Sequence, residues 1–382
     1  FMLKQQKIFF DFLRFCIGPA KEIPGSLKEV DWKELYAIAK MQALLGVLFY
    51  GIRRLPKELV PKQKLLMQWM VMAEQIRKQN IRLFLDSVKV CLNFENEGFA
   101  NCILKGQGNA LLYPDPYMRT PGDIDIYLSG GRRKIIKYVD QVCPNQVMRY
   151  HHVDFPVTKT AIEVHFTPSY MFCPIHNRRM QKWFEEVMGE QCNHRVSLPD
   201  GYGEIHVPHV SFNVIYILSH LYRHIFTEGI GLRQLLDYYF VLLKWHTDLT
   251  NLTDSNNSLP QMTQINTDLD ALRHELKYLG LWKFAGAVMY VLHEVFGLSE
   301  DRMIAPMNEK EGKFLLDEIM RGGNFGQYDD RMGDKVDESK IHRYFRMNLR
   351  NLRFVKHYPT EALSEPLFRT WFAVWKKIHG IR

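Results

Sequence analysis

The chain has 382 residues, 46% hydrophobic and 24% charged, the ordinary mix of a soluble globular protein with one to three domains. A formal net charge of +8 favours anionic ligands such as NTP or RNA. The six scattered cysteines form no Cys-x-x-Cys pair, which argues against zinc and a disulfide framework and fits a cytoplasmic location. No apolar run approaches the roughly 20 residues of a membrane span. The stretch Ile8 to Ile17 is broken by Asp11 and Arg14, so it reads as an amphipathic helix and not a signal peptide.

Residues 1–98 are predicted helical. Trp32, Leu35, Ile38 and Ala39 follow a helical period behind Asp31, a candidate N-cap. A second pattern from Leu65 through Trp69, Ile76, Leu85 and Leu92 reads as one long helix closed by Gly98, with Met67, Met70 and Met72 as packing residues.

Residues 99–205 are predicted to hold a small mixed α/β core. An apolar run ends on Lys105-Gly106, as a strand does on entering a tight turn, and Asn109 to Tyr113 reads as the first turns of a helix stopped by Pro114 and Pro116. The amides of that turn form a site for a triphosphate. Asp123 and Asp125 follow at i and i+2 on a second strand, facing one way with Tyr127 while Ile124, Ile126 and Leu128 face the other. Like charges side by side on a strand are tolerated mainly when a cation joins them. In Ala161 to Phe166 the same alternation puts Glu163 and His165 on one face, and Glu163 completes three acids if the two strands are neighbours. Oxygen ligands suit Mg²⁺, and two ions about 3.5–4 Å apart clamp an in-line phosphoryl transfer. Arg132, Arg133, Lys134 and Lys137 mark a helix after the second strand whose basic face suits solvation or contact with RNA or phosphate. His151 and His152 lie in a hairpin-like stretch and read as packing or surface residues. Residues 171–205 read as a connection with one helix, Asn177 to Met188.

Residues 206–382 are predicted to be helical. His220 and His224 share a helical face at i and i+4, without the third ligand a zinc site needs. Arg233 and Asp237 have the spacing of an intrahelical ion pair. Residues 247–266 read as a polar loop, and Gly322 to Lys340 as a mobile loop. Arg343, Arg346, Arg350 and Arg353 form a basic stripe opposite Phe345, Leu349, Leu352 and Val355, a pattern suited to a polyanion or to solvation. The last helix, Leu367 to Ile378, is predicted to dock on the body.

The combination of Lys105-Gly106, a short helix, Arg119-x-x-Gly122, Asp123-Ile-Asp125 and Glu163-x-His165 resembles the DNA polymerase β-type nucleotidyltransferase superfamily. It is most similar to the uncharacterised bacterial branch near the abortive-infection and antitoxin-type nucleotidyltransferases. Gly106 is followed by Gln107 where the superfamily usually has Ser or Gly, and Glu163 stands where this branch more often has Asp. The resemblance implies an α+β fold: a small mixed-sheet nucleotidyltransferase core flanked by N- and C-terminal helical regions. It implies NMP transfer from an NTP such as ATP to a hydroxyl of a small molecule, tRNA or protein, with release of pyrophosphate. Asp123, Asp125 and Glu163 would then hold two Mg²⁺. Lys105 with the amides of Gly106, Gln107 and Gly108 would hold the β,γ-phosphates, and Arg119 the transferred phosphate. His224 and Arg233 would face phosphate or acceptor from the following helix. Two alternatives are an inactive nucleotide-binding module and an RNA- or protein-interaction scaffold on the same fold.

Overall fold

The computed structural model describes residues 4–18, 22–255, 261–332 and 340–379. Helix α1 (Lys4–Ile17) buries Ile8, Phe9, Phe10, Phe12, Leu13 and Phe15. Its apolar residues cover most of its circumference, so it lies inside the helical body and is more than an amphipathic surface helix. Helix α2 (Trp32–Met41) starts at Asp31, whose carboxylate accepts from the Lys33 and Glu34 amides at 2.8 and 3.3 Å. After α3 (Leu45–Ile52), helix α4 (Gln63–Asn96) runs 34 residues, about 51 Å at the α-helical rise. It joins two cores. Trp69 and Ile76 pack among the other helices, whereas Leu83, Phe84, Val90 and Phe94 pack beneath the sheet. A left-handed Gly98 (φ +76°) ends it.

The sheet follows from the alternation in its strands. Strand β1 (Asn101–Ile103) leads through the short helix α5 (Gln107–Ala110) to β2 (Ile124–Leu128), helix α6 (Arg132–Val142), β3 (His152–Asp154) and β4 (Ile162–His165). The spatial order is β1-β2-β4-β3, with β2 and β4 parallel at the centre and antiparallel strands on either side. Ile124, Ile126, Leu128, Val153, Ile162 and Val164 form the apolar face, against α4 and against Ile135 and Val139 of α6. The other face carries the polar residues of β2 and β4 and looks toward the helical body. Helix α5 begins at Gln107, two residues before the predicted start at Asn109, and stops at Ala110, with Leu111 to Tyr113 forming a turn ahead of Pro114.

Helix α7 (Pro174–Gln191) comes next, and then a hairpin of β5 (Arg195–Ser197) and β6 (Glu204–His206) that the sequence did not signal. The helical body is completed by α8 (Val210–Thr227), α9 (Leu232–Ser255), α10 (Gln261–Tyr278), α11 (Trp282–Phe296), α12 (Glu309–Gly322), α13 (Lys340–Val355) and α14 (Pro359–Ile378). The architecture is therefore α+β with helical flanks. None of the described helices is long and apolar enough to cross a membrane.

Three expectations change. The polar stretch from residue 247 stays helical to Ser255, with Leu249 packed on the core and the Thr247 and Thr250 hydroxyls bonded one turn back. The stretch 261–266 belongs to α10, and 256–260 lie outside the described residues. Gly322 to Gln327 is folded against the body, where Gly323 and Gly326 take positive φ and Phe325 lies over Arg233; of its predicted continuation, 333–339 lie outside the described residues. The basic side of α13 faces inward at its C-terminal end: Arg350 is buried and Arg353 pairs with Glu318 and Asp329. Phe345, Leu349 and Leu352 are the exposed side. Carboxylates supplied by α12 and the following turn set that orientation, which sequence periodicity alone does not contain.

Trp69 is fully buried, donates from Nε1 to the Leu45 carbonyl at 2.8 Å, and meets Trp32 and Tyr36 edge-on. Trp69→Ala should destabilise the protein by about 3–5 kcal/mol, and Trp69→Phe by distinctly less. Urea unfolding of the two variants checks this.

Candidate active site

The polar face of β2 and β4 forms the floor of the site. Parallel pairing sets Asp125 against Glu163 and Tyr127 against His165. Asp123 precedes the strand on the same face. The cavity above them measures about 1100 Å³ and is bounded by the Lys105 turn, β3, α8, α9 and α14. Oxygens of Asp125 and Glu163 and a nitrogen of His165 lie within 4.8 Å of one another, a cluster able to hold a metal ion.

The cluster is neutralised from within. Lys105 Nζ lies 2.9 Å from Asp125 Oδ2, and His165 Nε2 lies 3.0 Å from Asp125 Oδ1 and 3.5 Å from Glu163 Oε2. His152 Nδ1 approaches Glu163 Oε2 at 3.2 Å. Burial opposes the Asp125 charge, but Lys105 and His165 outweigh it and hold this carboxyl far below the usual range. Burial likewise opposes the His165 charge, and hydrogen bonds to Asp125 and Glu163 outweigh it, raising this ring to about 9. Asp123 takes the opposite course: the Asp125 charge, then burial, push it up to about 6. Burial and the neighbouring His165 lower His152 to about 3, so it is neutral at pH 7.

The other predicted residues divide. Gly106 takes φ +66°, which a Cβ-bearing residue resists, and it lines the cavity with Lys105. Gln107 and Gly108 do not line it. The Gln107 side chain is buried in the protein, and a Cβ on Gly108 would lie 2.8 Å from Val207 Cγ1, so this glycine serves close packing. Asn109 takes their place in the cavity wall. Arg119 reaches the cavity edge, but its Nε and Nη2 hold both oxygens of Asp237 at 2.8 and 2.7 Å. Tyr113 donates to the same carboxylate at 2.6 Å. Asp237 therefore pairs across the fold with Arg119 and not within its helix with Arg233, which donates to the Thr120 carbonyl at 3.2 Å. Arg233 and His224 line the far wall. His224 sits between Arg223 and Glu228, and burial, then Arg223, lower it to about 4.

Sequence reasoning missed several groups. Asn80 of α4 donates to the Tyr117 and Arg119 carbonyls, each at 2.8 Å, and so fixes the turn that carries Arg119. A polar residue inside the apolar stripe of α4 was the available signal. His165 was placed on the correct face by alternation but given no role. His151 and His152 are buried, as the packing reading has it, and both also line the cavity.

Removing one partner of a buried ion pair leaves an uncompensated charge. Asp237→Ala should therefore cost about 3–5 kcal/mol, and the Arg119→Met/Asp237→Leu double variant clearly less. A double-mutant cycle in urea measures the difference.

Residues 28–297 match the model of a family described as uncharacterised nucleotidyltransferase. No curated protein and no solved structure matches the chain. The match spans well over half of the sequence, including the whole four-stranded sheet and helices α8 and α9 of the cavity wall, while α14 lies beyond it. The chain belongs to this nucleotidyltransferase family and is by that membership a transferase of nucleotidyl groups.

Proposed function

We propose that the protein transfers an NMP unit from an NTP to a hydroxyl of an acceptor and releases pyrophosphate, with Mg²⁺ held by Asp123, Asp125 and Glu163. The observation that carries this reading is the register of β2 against β4, which sets Asp125 beside Glu163. The donor set suits the metal: Asp125 and Glu163 bring carboxylate oxygens within 4.8 Å of each other, and Asp123 lines the same cavity as a third source of hard oxygen ligands. The rise of Asp123 under the Asp125 charge marks a group short of positive charge. When bound, the ions supply charge neutralisation on the phosphates and a lowered pKa at the attacking hydroxyl.

The chain itself does the rest. Lys105 holds Asp125 Oδ2 in the absence of ligand. With Asp125 as a metal ligand, Lys105 would be free to hold a phosphate at the Gly106 turn. Arg119, locked on Asp237, contributes a fixed positive charge behind Asp123. Arg233 and His224 meet phosphate or acceptor from the far wall, His224 as a neutral hydrogen-bonding ring. A cavity of about 1100 Å³ has room for donor and acceptor together, since single-ligand pockets measure roughly 300–1,000 Å³. The acceptor is a hydroxyl on a small molecule, a tRNA end or a protein side chain.

A second reading, nucleotide binding without transfer, draws on one observation: Lys105 and His165 already satisfy both oxygens of Asp125. Product analysis separates the two. Incubation with each α-labelled NTP, Mg²⁺ and cell lysate should label one acceptor fraction and release pyrophosphate. Asp125→Ala should lower labelling by more than roughly 100-fold, beyond the 10–100-fold typical of losing a residue outside the ligand set. Labelling at the wild-type rate in Asp125→Ala would remove the assignment.

The pH dependence follows from Asp123. Because its folded pKa is raised to about 6, the carboxyl is neutral below that pH and cannot ligate. Mg²⁺ affinity should hold above pH 7 and fall as pH drops through 6, approaching about tenfold per unit below it. Titration calorimetry at pH 5, 6 and 7.5 measures it, and Asp123→Asn should flatten the profile.

A further inference from the structure

The oxygen site lies between β2 and β4, but β4 has a second neighbour. Strand β3 pairs with it on the opposite side, setting His152 against His165 and Asp154 against Glu163. His151 lies immediately before β3. All three rings are buried, at 4%, 7% and 1% exposure for His151, His152 and His165. Ring centroids are 4.5 Å apart for His151 and His152, 5.0 Å for His151 and His165, and 5.1 Å for His152 and His165. Each ring can offer one nitrogen so that the three lie within 4.8 Å of one another.

We infer that His151, His152 and His165 form a second cation site selective for a borderline metal of the Zn²⁺ type. The clustering of the three buried rings carries the argument. His151 Nε2 and His152 Nδ1 are 3.4 Å apart. A tetrahedral zinc with bonds of about 2.0–2.1 Å has ligand–ligand edges of about 3.3–3.4 Å. That separation is beyond the roughly 2.7–3.2 Å of a good hydrogen bond. Buried Nδ1 atoms on His151 and His165 have no hydrogen-bond partner in the protein.

Imidazole-rich ligation favours zinc-type ions, and Mg²⁺ prefers oxygen and water. His165 touches Asp125 and Glu163, but the imidazole site takes none of the three carboxylates proposed for Mg²⁺ as a ligand, so the proposal stands apart from the transfer reading and can fail separately.

The test uses the full chain, stripped by chelator and titrated with Co²⁺ in excess Mg²⁺. One Co²⁺ per chain should bind with the intense visible bands of tetrahedral coordination, and Zn²⁺ should displace it. His151→Ala and His152→Ala, checked by circular dichroism melts, should each weaken Co²⁺ binding by more than about 10-fold. Asp123→Ala should leave Co²⁺ binding unchanged while abolishing Mg²⁺-dependent NTP binding. If Asp123→Ala retains NTP binding and both histidine variants lose Co²⁺, the transfer reading fails and this one stands. X-ray absorption of the Zn²⁺-loaded wild type gives a result independent of variant folding, with three imidazoles in the shell expected. An all-oxygen shell, or Co²⁺ binding unchanged in folded His151→Ala/His152→Ala, overturns the site.

Discussion

Two carboxylates held in register on neighbouring parallel strands are the constraint to which the surrounding structure answers. Oxygens of Asp125 and Glu163 lie within 4.8 Å of each other. A like-charge pair at about 4 Å costs about 4 kcal/mol when the effective dielectric constant is 20. Backbone pairing fixes the positions, so the strands cannot relieve the repulsion by moving apart. Relief comes from Lys105 at the end of β1 and His165 two residues beyond Glu163. The deficit that remains falls on Asp123, whose carboxyl is pushed up and not down. A cluster in which one acid is over-satisfied and its neighbour under-satisfied favours additional positive charge at the under-satisfied end.

A second buried pair connects this floor to the helices. Arg119 grips Asp237 of α9 with two nitrogens, Tyr113 adds a hydroxyl to the same carboxylate, and Asn80 of α4 holds the carbonyls of the Arg119 turn. The loop between α5 and β2 is thereby fixed to the elements that bring Arg233 and His224 over the site. The helical regions are accordingly walls of the same cavity. Trp69 and Phe84 on one continuous α4 link the packing of those walls to the apolar side of the sheet.

The sequence made legible whatever depends on local periodicity. Alternation in Asp123 to Leu128 and in Ala161 to Phe166 assigned both faces of the central strands, and the Asp31 cap and the long α4 could be read in the same way. Pairing across the fold was not legible. Asp237 is four residues from Arg233, so local spacing suggested a helical pair, whereas its partner is 118 residues away. The basic side of α13 looked outward until Glu318 and Asp329 supplied buried partners for Arg353. Gly108 fitted a phosphate turn by composition, but only contact with Val207 reveals its packing role. His151 and His152 were missed for a similar reason: a histidine pair in a short strand gives no indication of which ring a neighbouring strand will set beside it.

Lys105 shows why the arrangement is poised and not merely stable. Its side chain is partly buried, yet the charges of Asp125, Asp123 and Glu163 outweigh the desolvation and keep its pKa raised. Held permanently, such a pair would be a weak source of stability, because the desolvation of both partners offsets most of their attraction. What the pair provides is a balanced Asp125; under the proposed function the metal would replace the ammonium at this carboxylate, and the triphosphate would replace the carboxylate at the ammonium. Glycine at position 106 leaves the backbone next to Lys105 in a positive-φ turn, which a Cβ-bearing residue resists.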